Sequence, residues 1–180
     1  MKIRIALYKQ SETLFWRLIR WSQRKLPQRY SRYSHSEVVF MYEPELQSEY
    51  DRIENILFRD DIEKYGLSFS SSERDGGVRF KAIDWKKWNW DFVDIEVSRN
   101  RYIKMLQFAR KQNGNKYNTI GILFAQILNM NIKGNGTWFC SEITVRTLQE
   151  AGLLCTTSAL FTNPWELAEE LEKSYTIIDF

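Results

Sequence analysis

The stretch Gly136-Thr137-Trp138-Phe139-Cys140-Ser141-Glu142-Ile143-Thr144-Val145 places a cysteine at the start of an amphipathic helix. Asn129 to Gly136, just before it, carries two glycines and three asparagines with no apolar period, which indicates a loop. Downstream, apolar residues recur at helical spacing until Gly152: Ile143, Val145, Leu148 and Ala151. We therefore predict a helix from Phe139 to Ala151 that ends at this glycine.

Cys140 falls in the first turn of this predicted helix. The unpaired amides and the dipole at a helix N-terminus favour an anion, and a thiolate is an anion. A stabilised thiolate is a nucleophile, so the position suggests a reactive cysteine. The alternative is a buried structural cysteine, because a single thiol in apolar surroundings behaves as a small hydrophobic side chain.

A second segment combines the only histidine of the sequence with an acidic residue. Tyr33 to Tyr42 is rich in β-branched and aromatic residues and runs up to a Glu-Pro turn, so we predict a strand. Residues i and i+2 share a strand face, which places His35 beside Glu37. A carboxylate there can fix the imidazole tautomer and stabilise its cation, as in a Cys-His-acid triad. Alternatively, His35 is an ordinary strand histidine and Glu37 is solvated.

Five short segments carry a resemblance that covers nearly the whole chain. Ser34–Phe40 holds the histidine and Trp138–Glu142 holds the cysteine; the other three are Ile3–Lys9, Gly114–Gly121 and Thr162–Leu167. Together they resemble the circularly permuted NlpC/P60 cysteine hydrolases, the YiiX-like branch of the papain-like fold. The histidine precedes the cysteine, as permutation implies. The sequence departs from the family pattern at Asn118, where Asp is commoner.

The resemblance implies an α+β, permuted papain-like fold with a mostly antiparallel sheet packed against helices. It also implies cleavage of an amide or ester bond through an acyl-thioester, with Cys140 as nucleophile, His35 as base and Glu37 as orienting acid. Ser36, Glu142 or a side chain from the next strand are alternatives to Glu37. Family-level substrates are peptidoglycan-type peptides, protein conjugates and fatty-acyl lipids, so the expected partner carries a peptide, amide or acyl group.

Four residues are predicted to contact this substrate. Tyr33 lies in a basic, aromatic loop that leads directly into His35 and is placed to form a wall of the cleft. Tyr117 and Trp138 lie inside the segments that carry the resemblance. Glu142 is close to Cys140 and could orient the substrate, or it could simply complement the helix dipole.

Length and composition limit the other possibilities. The 180 residues are enough for one domain, 1–180, with its own core, and 43% are hydrophobic, which argues against disorder. A net charge of +3 gives little reason to expect nucleic-acid binding. One histidine and two cysteines are too few for a zinc site, and we expect no cofactor or metal. We find no signal peptide and no apolar run of membrane-spanning length, so we expect a cytoplasmic protein of a bacterium or phage-infected host.

Alternation and apolar periodicity predict the remaining elements. The predicted strands are Lys2–Tyr8, Leu67–Ser72, Val78–Ile83 and Phe92–Val97, a weaker one at Arg52–Phe58 and a short last one at Tyr175–Ile178. A turn at Asp75-Gly76-Gly77 joins two of them into a hairpin, and Asp60, Asp61 and Glu63 form an acidic turn. The predicted helices are Ser11–Ser22, Ser98–Lys111, Tyr117–Leu128 and Pro164–Lys173.

Three features have two interpretations each. The basic, aromatic helix that ends near Ser22 could contact a membrane or lipid surface, or pack on the sheet with a solvated basic edge. The tryptophans Trp85, Trp88 and Trp90 could grip sugar rings, bases or lipid chains, or cover the core. Arg79 could meet an anionic substrate group, but a surface position on a strand is the favoured interpretation.

Two functions compete with hydrolysis. The first is a catalytically silent binding or host-interaction module on the same fold, and the second is a structural component of a larger particle. Both His35 and Cys140 are retained with the flanking residues of the family motif, which favours the enzyme. The sequence leaves the substrate and the oligomeric state open.

Overall fold

A seven-stranded sheet organises the fold in this computed structural model, which describes residues 1–9, 32–53, 59–85, 89–118, 136–160 and 162–178. The strands are β1 (Lys2–Tyr8), β2 (His35–Phe40), β3 (Leu67–Ser72), β4 (Gly77–Lys81), β5 (Trp90–Glu96), β6 (Lys116–Tyr117) and β7 (Thr137–Trp138). Their order is β5-β1-β2-β3-β4-β6-β7. Every neighbouring pair is antiparallel except β6 and β7, which are parallel.

Five α-helices lie in the described residues. They are α1 (Gln47–Tyr50), α2 (Arg59–Tyr65), α3 (Arg99–Gln112), α4 (Cys140–Glu150) and α5 (Pro164–Glu172). The side chain of Ser98 caps α3 by accepting a hydrogen bond from the Arg101 amide. At α5, Asn163 and Glu166 form a reciprocal capping box, and Pro164 occupies the first turn. Strands therefore dominate the first half of the chain and the longer helices the second, an α+β arrangement.

The register gives the sheet two different faces. Ile5 pairs with Val38 and with Val93, so these side chains leave the sheet on one side, called here the core face. Ala6 pairs with Glu37 and with Phe92, and these side chains leave on the opposite side, called here the second face. A one-residue step along each strand thus moves a side chain from one face of the sheet to the other.

The main hydrophobic core lies between the core face and the helices. Strand residues Ile3, Ile5, Leu7, Val38, Phe40 and Phe69 share one buried cluster with helix residues Tyr102, Met105, Leu106, Ile143, Val145, Leu148 and Leu167. Helix α4 packs on β2, on β3 and on α3, so its N-terminus is fixed against the strand that carries His35. On the second face, a smaller cluster of Ala6, Val39 and Phe92 is covered in part by Met41, Trp85 and Trp90.

Most predicted elements are confirmed within a few residues, and the α+β class with a mostly antiparallel sheet is confirmed. The acidic turn was wrong: Asp60, Asp61 and Glu63 lie in α2, where two of the acids occupy the first turn and complement the helix dipole. The helix predicted to begin at Tyr117 does not begin there, because that residue lies in β6. The last strand reduces to one bridge between Phe92 and Ile178.

Some predictions concern residues that the structure does not describe. The basic, aromatic helix over Ser11–Ser22, Trp88, and the predicted helix beyond Asn118 all lie outside the described residues. Of the weak strand, only Arg52 and Ile53 are described, and both lie in a turn or bend. Trp85 makes edge-to-face contacts with Trp90 and with Phe92, and both tryptophans pack against the cluster on the second face, which is the core-covering interpretation for these two rings.

Candidate active site

Helix α4 begins at the cysteine, as the sequence predicts. Phe139 is the extended N-cap residue and its carbonyl accepts from the Ile143 amide at 3.1 Å. Cys140 is therefore the first helical residue, and its thiol lies where the amides and dipole favour negative charge. The thiol is buried, with 2% of the residue exposed, and it forms no disulfide; the second cysteine, Cys155, is also a free thiol but is exposed.

His35 connects this helix to the sheet. Its Nε2 lies 2.7 Å from Glu37 Oε1, so the two residues share a face as the period-two pattern predicts. The Cys140 side chain lies close enough to the same ring to raise the pKa of the imidazole, and because Nε2 faces Glu37, Nδ1 is the nitrogen left for the thiol. Burial acts to lower the pKa of His35, but the charge and hydrogen bonds of Cys140 and Glu37 outweigh it and raise that pKa to about 10.

Four donors converge on the Glu37 carboxylate. Oε1 faces His35 Nε2 and accepts from Arg79 Nη2 at 2.7 Å, while Oε2 accepts from Arg79 Nη1 at 2.7 Å and from the Ser68 hydroxyl. These contacts use the acceptor sites of an ionised carboxylate and leave no place for a carboxyl proton. Burial acts to raise the pKa of Glu37, yet Arg79 and then His35 hold it far below its usual range.

This geometry corrects the favoured interpretation of Arg79. The residue is not a solvated strand arginine: only 16% of its side chain is exposed, and its guanidinium makes a two-pronged contact with Glu37. Its Nε donates to Asp75 Oδ2 at 2.7 Å, so a second carboxylate holds the far side of the group. Lys81 lies 3.2 Å from the other oxygen of Asp75.

The hairpin of β3 and β4 holds the separate parts of the site together. Ser68 and Arg79 contact Glu37, and the Ser71 hydroxyl donates to the Trp138 carbonyl at 2.7 Å, just before the cysteine helix. The hairpin also packs closely on the segment that leads into β6. A Cβ at Gly77, whose φ is +152°, would overlap the Asn115 carbonyl, so only glycine fits there.

The predicted substrate-contact residues near Cys140 have different environments. Tyr117 is half-buried in β6; burial, and then the charge of Cys140, raise the pKa of its phenol well above the usual value. Trp138 lies in β7 and packs edge-to-face on Phe108, with 9% of the residue exposed. Glu142 is fully buried in the first turn of α4. Their roles toward a substrate stay predictions.

Tyr33 has a different set of partners. It is 2% exposed, its hydroxyl donates to Asp91 Oδ2 at 2.7 Å, and its ring stacks on Trp165. Asp91 is itself fully buried and pairs with Lys9 at 2.7 Å and with Arg32 at 3.0 Å. Tyr33 thus joins β5 to α5, and its predicted contact with substrate stays a prediction.

The arrangement can carry out nucleophilic chemistry at a thiol. Such chemistry requires a cysteine at a helix N-terminus, an imidazole beside it and a carboxylate behind the imidazole, and these groups are present. Within the described ranges, no cluster of three or more His, Cys, Asp or Glu side chains could hold a metal ion. No helix in the described part of the chain is long and apolar enough to span a membrane.

Sequence reasoning missed the contribution of Ser68 and underrated that of Arg79. One signal was present: the strand Leu67–Ser72 holds serines at four of its six positions, an unusual composition for a strand whose residues are almost all buried. Buried hydroxyls need partners, so the run indicated a polar network. The identity of the partner depends on the register of three strands, which the sequence does not display.

In comparisons with known proteins, no family model matches the chain, and no curated protein is significantly similar to it in sequence.

Proposed function

We propose that this protein is a thiol hydrolase or acyltransferase that opens an amide or ester bond through an acyl-thioester on Cys140, on a permuted papain-like fold. The series Cys140–His35–Glu37 carries the proposal: the thiol at the start of α4 lies beside an imidazole that is hydrogen-bonded to a buried carboxylate. The order of the two key residues along the chain supports the permuted arrangement, and so does the packing of α4 on the strand that bears the histidine.

In the first step, His35 Nδ1 holds the proton that the Cys140 thiol gives up, while Nε2–H donates to Glu37. The thiolate sulfur attacks the carbonyl carbon, the π electrons move to oxygen, and a tetrahedral oxyanion forms. The backbone amide of Cys140, at the open end of the helix, is a donor for this oxyanion. Tyr117 is a second candidate donor, because its raised pKa keeps the phenol protonated.

The oxyanion then collapses and the bond to the leaving group breaks. His35 gives its proton to the departing amine or alkoxide, which leaves an acyl-thioester on Cys140 and a neutral imidazole. Water, or another acceptor, next loses a proton to His35 and attacks the thioester carbonyl. Collapse of this second tetrahedral species releases the acyl product and regenerates the thiol.

The substrate class follows from the resemblance rather than from the site. We propose a peptide, amide or acyl compound, with contact to a lipid surface through the basic, aromatic segment, and a cytoplasmic location in a bacterium or an infected host. The substrate class, the lipid contact and the location are thus proposed on grounds other than the contacts of Cys140, His35 and Glu37.

The decisive experiment is the pH dependence of Cys140 alkylation. Iodoacetamide is small and uncharged, which suits a thiol that is only 2% exposed. All variants carry Cys155→Ala, because Cys155 is the exposed thiol, and mass spectrometry measures the rate from pH 5 to pH 9. An ordinary thiol with a pKa of about 8.5 is only about 0.3% thiolate at pH 6. We expect fast labelling at pH 6 that His35→Ala slows by about 100-fold or more.

A matched control uses the exposed thiol in place of the buried one. In the Cys140→Ala protein, His35→Ala should leave the labelling rate of Cys155 unchanged. If Cys140 labels as an ordinary thiol, with or without His35, the hydrolase proposal fails and the silent binding module takes its place. If the expected rates are found, a panel of acyl esters and peptide amides identifies the substrate class.

A further inference from the structure

The Glu37 carboxylate has more hydrogen-bonding and charged partners than the orienting acid of a triad requires. The carboxylate is 1% exposed, and it faces His35 on its own strand, Ser68 on β3 and Arg79 on β4. Behind Arg79 stand two further charged groups of the hairpin, Asp75 and Lys81. Cys140 on α4 reaches the carboxylate only through the imidazole. The charged groups around the carboxylate thus extend outward as a series from the buried strand to the hairpin turn.

We propose that Arg79 is a positioning residue for the candidate triad: its guanidinium, held from behind by Asp75, fixes the plane of the Glu37 carboxylate so that Oε1 meets His35 Nε2. The inference rests on the proposed function. Two parallel N–H···O contacts of 2.7 Å define the orientation of a planar carboxylate, which one contact from an ammonium group cannot do.

Arg79 also has an electrostatic role during the reaction. His35 is a cation after it takes the thiol proton and neutral after it gives that proton to the leaving group. Without Arg79, the buried Glu37 carboxylate would lose its compensating cation whenever His35 gives up its proton, so it would oppose that transfer. The permanent charge of Arg79 compensates Glu37 at every stage, so the transfer to the leaving group is not opposed and Glu37 stays an acceptor.

The test compares variants of Arg79 by the pH profile of Cys140 alkylation with iodoacetamide, again with Cys155→Ala in the background. The measured quantity is the ratio of the labelling rate at pH 7 to the rate at pH 5, with folding checked by circular dichroism at both values. A structural role alone would lower the amount of folded protein and leave this ratio unchanged.

Arg79→Met removes both the two-pronged contact with Glu37 and the positive charge. We expect its ratio to exceed that of the parent by about 10-fold, because burial raises the pKa of a carboxyl that has lost its guanidinium. Once that pKa lies between pH 5 and pH 7, Glu37 protonates at the acidic end of the range and no longer pairs with the imidazolium. Arg79→Lys keeps the positive charge but cannot make the two-pronged contact. It should therefore show the parent ratio of labelling rates, with a lower labelling rate at both pH values. Arg74→Met is the matched control, since Arg74 is exposed in the turn of the same hairpin.

Two more variants keep the test decisive. In a Glu37→Gln protein, the further change Arg79→Met should alter the ratio by less than about 2-fold, because a residue that acts through Glu37 has nothing left to act on. If Arg79→Met does not fold, Asp75→Asn replaces it; it removes only the outer carboxylate and should raise the ratio by a smaller factor.

The outcomes separate this inference from the function on which it rests. If the parent labels quickly at pH 6 and depends on His35, while Arg79→Met or its replacement keeps the parent ratio, the positioning role is wrong and the hydrolase proposal stands. If the parent itself labels as an ordinary thiol, the hydrolase proposal fails, and the positioning role fails with it.

Discussion

Two buried carboxylates lie on opposite faces of the same sheet, and their surroundings differ. Glu37 leaves β2 on the second face and meets an imidazole, a hydroxyl and a guanidinium. Asp91 leaves β5 on the core face, since it pairs in register with Leu7, and meets an ammonium, a guanidinium and a phenol. Both are almost wholly removed from water, at 1% and 0% exposure, so burial alone does not distinguish them.

The difference lies in what the partners can do next. The imidazole that meets Glu37 can give and take a proton during a reaction, and it is in contact with a thiol at a helix N-terminus. The contacts of Asp91 with Lys9, Arg32 and Tyr33 join β1, the segment before β2 and β5 by charge and hydrogen bonding. A buried, paired carboxylate is therefore a sign of chemistry only when one of its partners is itself reactive.

The largest expected contrast is in stability. Glu37→Ala leaves Arg79 without its main partner in a place where only 16% of its side chain reaches water, and we expect a loss of about 3–5 kcal/mol in the free energy of unfolding. Asp91→Ala leaves Lys9, with 17% of its side chain exposed, and Arg32, with 45% exposed. The flexible lysine stem can turn its ammonium toward water and Arg32 already reaches it, so we expect a smaller loss of about 1–3 kcal/mol. Urea denaturation followed by circular dichroism measures both; an equal or larger loss for Asp91→Ala would contradict the comparison.

The difference between the two carboxylates also shows what the sequence could reveal. His35 and Glu37 are two residues apart on one strand, so their contact follows from the strand period, and the start of α4 at Cys140 follows from apolar spacing. Arg79 and Glu37 are 42 residues apart and Tyr33 and Asp91 are 58 apart. Contacts at such separations depend on strand register and sheet order, which no local pattern contains.

The same reasoning applies to the fold. Strands β1, β3 and β4 alternate visibly between apolar and polar residues, and α3 begins and ends at a serine cap and a glycine. Helix α2 was missed because its few apolar residues give no helical period; buried Ile62 anchors it instead. The meeting of Cys140 with His35, across more than half the chain, was expected from resemblance alone.

The second contrast is in the reactivity of Cys140. Glu37→Gln removes the anion behind the imidazole and places an amide in its position, so the iodoacetamide rate at pH 6 should fall by about 10-fold or more. Asp91→Asn should leave this rate within about 2-fold, because its partners lie outside the Cys140–His35 contact. If Asp91→Asn lowered the labelling rate of Cys140 by a comparable factor, Asp91 would belong to the site, and the two carboxylates would not differ in function.

The third contrast appears in alkaline solution. The folded pKa of His35, about 10, lies above its ordinary value of 6.5, so its contribution to stability is complete below pH 6.5 and is lost as the pH rises through 10. The free energy of unfolding should fall across this window by at most about 1.4 kcal/mol per pH unit for one proton. His35→Gln should flatten the slope and Asp91→Asn should not, as measured by urea denaturation between pH 6.5 and 10. If His35→Gln kept the pH dependence of the parent's unfolding free energy, a group other than His35 would be responsible for it.

The smallest contrast concerns Tyr33, whose predicted contact with substrate competes with its hydrogen bond to Asp91. Tyr33→Phe removes that one hydroxyl and keeps the ring that stacks on Trp165, so we expect a loss of about 1 kcal/mol in unfolding free energy. Asp91 keeps Lys9 and Arg32 as partners, so the strand ends should stay in place and the iodoacetamide rate should not change. The discriminating measurement uses a larger acyl probe in parallel: if Tyr33→Phe slows acylation by the larger probe but not by iodoacetamide, the phenol contacts the substrate and the network around Asp91 borders the site. If both rates keep their parent values, Tyr33 supports only the fold.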